Sequence, residues 1–73
     1  MLVRMEAGSS YPPHRHGDFE ECFVLEGTLV VEGEADLDAG DYQSMEAGTV
    51  HPTQRTETGC LLLIRSGVRD EMI

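Results

Sequence analysis

Three histidines and one carboxylate set the chemistry of this chain. His14 and His16 stand two apart, Glu20 follows four residues later, and His51 comes thirty-one residues further on. Neutral imidazoles joined by a carboxylate suit a borderline divalent cation such as Zn, Fe, Mn, Ni or Co, whereas Ca and Mg ask for more oxygens. His14, His16, Glu20 and His51 are therefore the candidate ligands of one divalent transition metal, zinc first, with iron, manganese or nickel as the other choices. Glu21 is the rival of Glu20. Successive residues of a strand face opposite ways, so a strand that turns Glu20 toward the metal turns Glu21 away.

Little else in the sequence points to catalysis. No Ser-His-Asp or Cys-His pair emerges, and an imidazole bound to a metal cannot also serve as a free general base. There is no lysine, which removes Schiff-base chemistry. The acidic stretch Glu32, Glu34, Asp36, Asp38 and Asp41 invites a calcium-loop reading. It fails because the glycine falls at the wrong step and the twelfth place holds Met45. A solvated hairpin fits it better.

The elements that must position these ligands read as strands. Turn signals recur at Gly8-Ser9, Pro12-Pro13, Gly17-Asp18, Glu26-Gly27, Gly33-Glu34, Ala39-Gly40, Ala47-Gly48, Thr58-Gly59 and Ser66-Gly67. Between them lie short runs rich in Val, Leu, Thr and aromatics, the pattern of a sandwich or barrel. The expected strands are 2–6, 11–16, 19–26, 28–33, 41–45, 49–56 and 60–66, with 68–73 as an edge strand or a loose tail. The run Thr28–Glu32 followed by Gly33-Glu34 reads as one arm of a hairpin. No segment of ten residues keeps a helical apolar period, and no internal repeat stands out. The fold class is all-β, one domain spanning 1–73.

Composition narrows the classes of function. The net charge is −9, from fourteen acids against five arginines. Such a field repels phosphate backbones, so no nucleic-acid partner is expected. No apolar stretch nears the roughly 20 residues of a membrane span, so no membrane association is expected. Nothing in Met1–Glu6 resembles the apolar region of a signal peptide, which points to the cytoplasm. Cys22 and Cys60 each border an apolar run and read as buried thiols, since a disulfide is improbable in a reducing compartment.

A chain of this size buries only about 60% of its unfolded surface, so a metal or a second subunit is the expected support. Cys22–Leu25 and Leu61–Ile64 are apolar at consecutive positions. Such runs argue for burial on both faces. With no helix to cover the outer face, a homodimer is expected.

The motifs resemble those of the cupin superfamily. Its first motif, G-x5-H-x-H-x3/4-E-x6-G, is matched by Gly8, His14, His16, Glu20 and Gly27. Glu21 would leave only five residues before Gly27, which again favours Glu20. The second motif, G-x5-P-x-G-x2-H-x3-N, is matched at Gly40, Gly48 and His51, with Glu46 in the proline position and Arg55 in the asparagine position. The flanking text, Tyr11-Pro12-Pro13-His14-Arg15-His16 and Glu20-Glu21-Cys22-Phe23-Val24-Leu25-Glu26-Gly27-Thr28, is similar to the cupin domain of zinc-dependent anti-sigma factors of the ChrR type. The resemblance implies a small double-stranded β-helix, or jelly-roll barrel, with three His and one Glu as metal ligands. Nothing in this sequence reads as the helical domain with which those factors hold a sigma factor.

Two kinds of function are then expected. A zinc ion held by four protein ligands is full, the mark of a structural, sensory or regulatory module. Six-coordinate iron, manganese or nickel on the same residues keeps open positions for a small organic substrate, as in cupin dioxygenases and isomerases. Whether the chain is an enzyme stays open at this point. Tyr11, Tyr42, Gln54 and Arg55 are the candidate polar neighbours of a small-molecule ligand.

Overall fold

A computed structural model describes residues 1–12, 14–15 and 19–66, with side chains left out at positions 14, 15, 51 and 66. The described residues form nine strands and no helix. They are β1 (Leu2–Met5), β2 (Ser10–Tyr11), β3 (His14–Arg15), β4 (Glu20–Val31), β5 (Ala35–Asp38), β6 (Tyr42–Met45), β7 (Val50–His51), β8 (Gln54–Arg55) and β9 (Cys60–Ser66). All the pairings are antiparallel.

β4 organises the fold. Its first half pairs with β9 on one side and β6 on the other, and β9 in turn pairs with β1. Its second half pairs with β5 and β8, and β8 pairs with β2. Two four-stranded layers, β1-β9-β4-β6 and β2-β8-β4-β5, thus share one long strand that passes from the first to the second. The passage is a bulge: the β4–β9 register shifts between Val24 and Glu26, so Leu25 is extra. A bulge bends the strand and increases its twist.

Gly27 completes the corner at φ +78°, where a Cβ would lie 2.0 Å from the Gly59 carbonyl oxygen. Only glycine fits that close approach. This corrects the reading of Glu26-Gly27 as a turn between strands 19–26 and 28–33. The glycine lets one strand change layer instead of ending it.

Other boundaries differ for local reasons. In place of the expected strand 11–16 the described residues form two short ones, β2 and β3, with Pro12, which lacks an amide donor, following β2, and His16 lies outside the described residues. The expected strand 49–56 divides in the same way around Pro52 into β7 and β8. β5 lies in the acidic stretch, where alternation hides the signal: Leu37 is buried while Asp36 and Asp38 face solvent. With β4 it forms the expected hairpin, closed by a hydrogen bond from the Glu34 amide to the Val31 carbonyl at 2.9 Å. The tail 68–73 lies outside the described residues.

The core sits between the layers. Val24, Leu29, Val31 and Leu62 are essentially inaccessible, and Met5, Cys22, Leu37 and Cys60 complete the cluster. Thr56 is buried with them, and its Oγ1 donates to the Thr28 carbonyl at 2.6 Å, which satisfies a hydroxyl that burial would otherwise penalise. Cys22 and Cys60 are free thiols.

Within the chain the two apolar runs are buried on one face only, which leaves the outer face in need of the cover expected from a second subunit. Cys22, Val24 and Leu62 point inward, whereas Phe23, Leu25 and Leu63 are exposed. Among the described residues no helix is long and apolar enough to cross a membrane.

Candidate metal centre

Two near-identical turns precede the strands that carry the histidines. Glu6-Ala7-Gly8-Ser9 and Glu46-Ala47-Gly48-Thr49 differ only in the final hydroxyl residue. In each, the fourth residue's amide donates to the glutamate carbonyl, at 3.0 Å in the first and 3.2 Å in the second. Its side-chain hydroxyl donates to the same oxygen, at 2.6 Å in both. Gly8 and Gly48 both hold φ +84°, which the third place of a type II turn requires. Glu46, in the position where the motif has proline, opens the second turn by accepting both bonds at its main-chain oxygen. This repeat was visible in the sequence as two copies of Glu-Ala-Gly-Ser/Thr, yet it is too short to register as a repeat.

The second turn leads straight into β7, and the first leads through β2 to β3. The backbone of β3 and β7 makes His14 and His51 direct cross-strand partners, with Arg15 opposite Val50. Residues so opposed occupy one register position on neighbouring strands. His16 lies outside the described residues, as do the side chains of His14 and His51. Among the described side chains no group of three His, Cys, Asp or Glu is gathered that would hold a metal by itself.

The two glutamates that compete for the fourth place diverge. Glu20 is half-buried and lines a cavity of about 360 Å³ together with Tyr11, Gln54 and the apolar Val3 and Ile64. Glu21, next along β4, is on the outer face. Its carboxylate accepts a hydrogen bond from the Tyr42 hydroxyl at 2.7 Å and pairs with Arg65 at 3.3 Å. That bond pushes the Tyr42 phenol above its ordinary value, because ionisation would set two negative groups against each other.

The polar neighbours divide by the same logic. Tyr11 and Gln54 line the cavity, and Gln54 is buried. Tyr42 packs on Phe23 outside, with ring centroids 4.7 Å apart. Arg55, in the position where the motif has asparagine, donates to Glu32 and pairs with Glu57 at 2.9 Å and does not line the cavity. Both carboxylates raise its pKa further.

Beneath Glu20, the Cys22 thiol is pushed up to about 11 by burial, with the Glu20 and Cys60 charges acting in the same direction. Burial raises Cys60 as well. Neither thiol is poised to ionise at neutral pH, so neither has the thiolate character of a nucleophile or a ready metal ligand.

Comparison with known proteins agrees with this architecture. The family model for the ChrR cupin-like domain matches residues 1–69. An acetylacetone dioxygenase from Acinetobacter johnsonii superposes with a TM-score of 0.77 at 22% identity, covering 86% of this chain and 46% of the other. The DMSP lyase DddQ from Ruegeria pomeroyi DSS-3 superposes with a TM-score of 0.74 at 32% identity, covering 92% of this chain and 36% of the other. The chain thus spans less than half the length of either enzyme. No curated protein sequence matches it. An all-β jelly roll with a family match over nearly its whole length leaves one conclusion: the chain belongs to the ChrR cupin-like domain family of the cupin superfamily.

Proposed function

We propose that this is a metal-binding cupin module in which His14, His16, Glu20 and His51 hold one divalent transition metal. The observation that carries the reading is the backbone pairing of His14 with His51, together with Glu20 on the wall of a partly open cavity while Glu21 is engaged outside. The donor set fits the group: imidazoles and one carboxylate suit zinc first, and iron, manganese or nickel next. Bound zinc would link the two histidine strands to β4 and add folding free energy to a small core. A sensory or regulatory role follows from a closed four-ligand site.

The cavity favours a second reading. Space of about 360 Å³ beside Glu20, mostly apolar but with Tyr11 and Gln54 on its wall, can take a small organic molecule. The chain would then be a metal-dependent cupin enzyme. The metal would supply Lewis acidity or oxygen chemistry, while Tyr11 and Gln54 would orient the ligand by hydrogen bonds. The similarity to two enzymes supports this reading at the level of the fold.

Elemental analysis of the purified chain tests the site. Roughly one equivalent of metal is expected, lost in His16→Ala with His51→Ala and strongly reduced in Glu20→Gln, while Glu21→Gln keeps it. Metal retained without the histidines would sink the assignment. X-ray absorption then separates the two readings, because four protein ligands alone mark the closed module and additional solvent ligands mark the open, enzyme-like site.

A further inference from the structure

The outer face of the β1-β9-β4-β6 layer carries three rungs with unlike chemistry. The middle rung is apolar across all four strands. The register aligns Leu2 with Leu63, Leu63 with Phe23, and Phe23 with Tyr42. All four are exposed, from 37% for Phe23 to 64% for Leu2. One flanking rung aligns Arg65 with Glu21 and Glu21 with Ser44, and it holds the Arg65–Glu21 ion pair. The other aligns Arg4 with Leu61 and Leu61 with Glu26 at the bulge, and it holds the Arg4–Glu26 pair at 3.7 Å.

Contiguous apolar surface rimmed by charge on a small chain marks an interaction site. The charge pattern identifies the occupant. We infer that the face binds a second copy of this chain, about a two-fold axis parallel to the strands and midway between β4 and β9.

That axis opposes Leu63 to Phe23 of the second copy, Leu2 to Tyr42 of the second copy, and Arg65 to Glu21 of the second copy. Apolar meets apolar along the whole middle rung, opposite charges meet twice by symmetry, and in the third rung, at the edge of the contact, Leu61 faces Glu26 of the second copy with no like charges opposed. The contact is isologous and closed, so it stops at two copies. An axis running across the strands fails, because it sets Glu21 against Glu26 of the second copy. Two sheets joined in this way pack about 10 Å apart, the ordinary spacing of a β-sandwich. The proposal does not depend on the metal: the face is on the outside of the layer, and Glu20 is on the inside.

The test is sedimentation equilibrium on the full chain. The wild type is expected to be a dimer at tens of micromolar, and Phe23→Ser is expected to shift it to monomer with its melting transition preserved. Arg65→Glu and Glu21→Arg each place like charges together in a homodimer. Each variant alone should dimerise more weakly by about tenfold or more. Mixed in equal amounts they should recover dimer, because in the mixed pair positions 65 and 21 again carry opposite charges wherever they meet across the axis. A wild-type monomer overturns the proposal, whether the tail 67–73 or another protein covers the face instead. Unweakened dimers of both charge variants, or a mixture that recovers nothing, overturn it as well.

Discussion

At the scale of single residues, adjacent positions on β4 have opposite roles because a strand alternates. Glu20 reaches the cavity and Glu21 is bound to Tyr42 and Arg65. That separation was legible in the sequence, since period-two alternation and the spacing to Gly27 both distinguish the two carboxylates. The partners of Arg55 were not legible. Glu32 and Glu57 meet it through the β4–β8 register and the turn after β8, and register is a three-dimensional fact. The thiols yield a pH prediction. Burial pushes the Cys22 thiol up to about 11 in the folded chain from 9.0 for a free thiol, and it raises Cys60 as well. The unfolded chain therefore loses these protons first as pH rises, so their contribution to stability is whole below about pH 9 and falls away toward about pH 11. Urea midpoints should decline across that window. In Cys22→Ala with Cys60→Ala, weaker at neutral pH, the decline should be smaller. An identical decline in the variant would show that other groups cause it.

At the scale of elements, the corner in β4 shows where sequence reading reached its limit. A glycine between two apolar runs is the ordinary mark of a turn, and nothing local separates it from a bulge. The difference lies in Gly59, thirty-two residues away, whose carbonyl occupies the space beside Gly27. The site histidines follow a plainer rule: each stands beside a proline in sequence, and the two-residue ladder of β3 and β7 sets His14 opposite His51. Gly27→Ala must adopt positive φ and displace backbone, so it should cost on the order of 3 kcal/mol or more by denaturant unfolding. Gly33→Ala is the comparison. It has φ +76° but open space around it, so only the left-handed cost of about 1–2 kcal/mol applies. Equal losses at the two glycines would show that the Gly59 contact contributes nothing.

At the scale of the whole molecule, two layers enclose a core of eight buried apolar residues among those described, with Val24, Leu29, Val31 and Leu62 at its centre. Such a core is small, and the proposed metal adds a cross-link between strands that the ladders join weakly. A chelator should therefore lower the melting temperature by several degrees, and returning zinc should restore it; calorimetry with and without chelator measures the shift. An unchanged melt would separate metal binding from stability. The all-β class and the ligand spacing were both carried by local text, by turns, alternation and motif. The sharing of β4 between layers was not, because it depends on pairings made across the entire chain. One of those pairings governs how fast the molecule forms. Leu2 of β1 is registered with Leu63 of β9, so this ladder closes a loop of about sixty residues. Closing so long a loop costs entropy before any of its rungs reward it. Folding is therefore expected to be a slow search by the standards of small domains, on the order of milliseconds to seconds, with β1 docking among the last events.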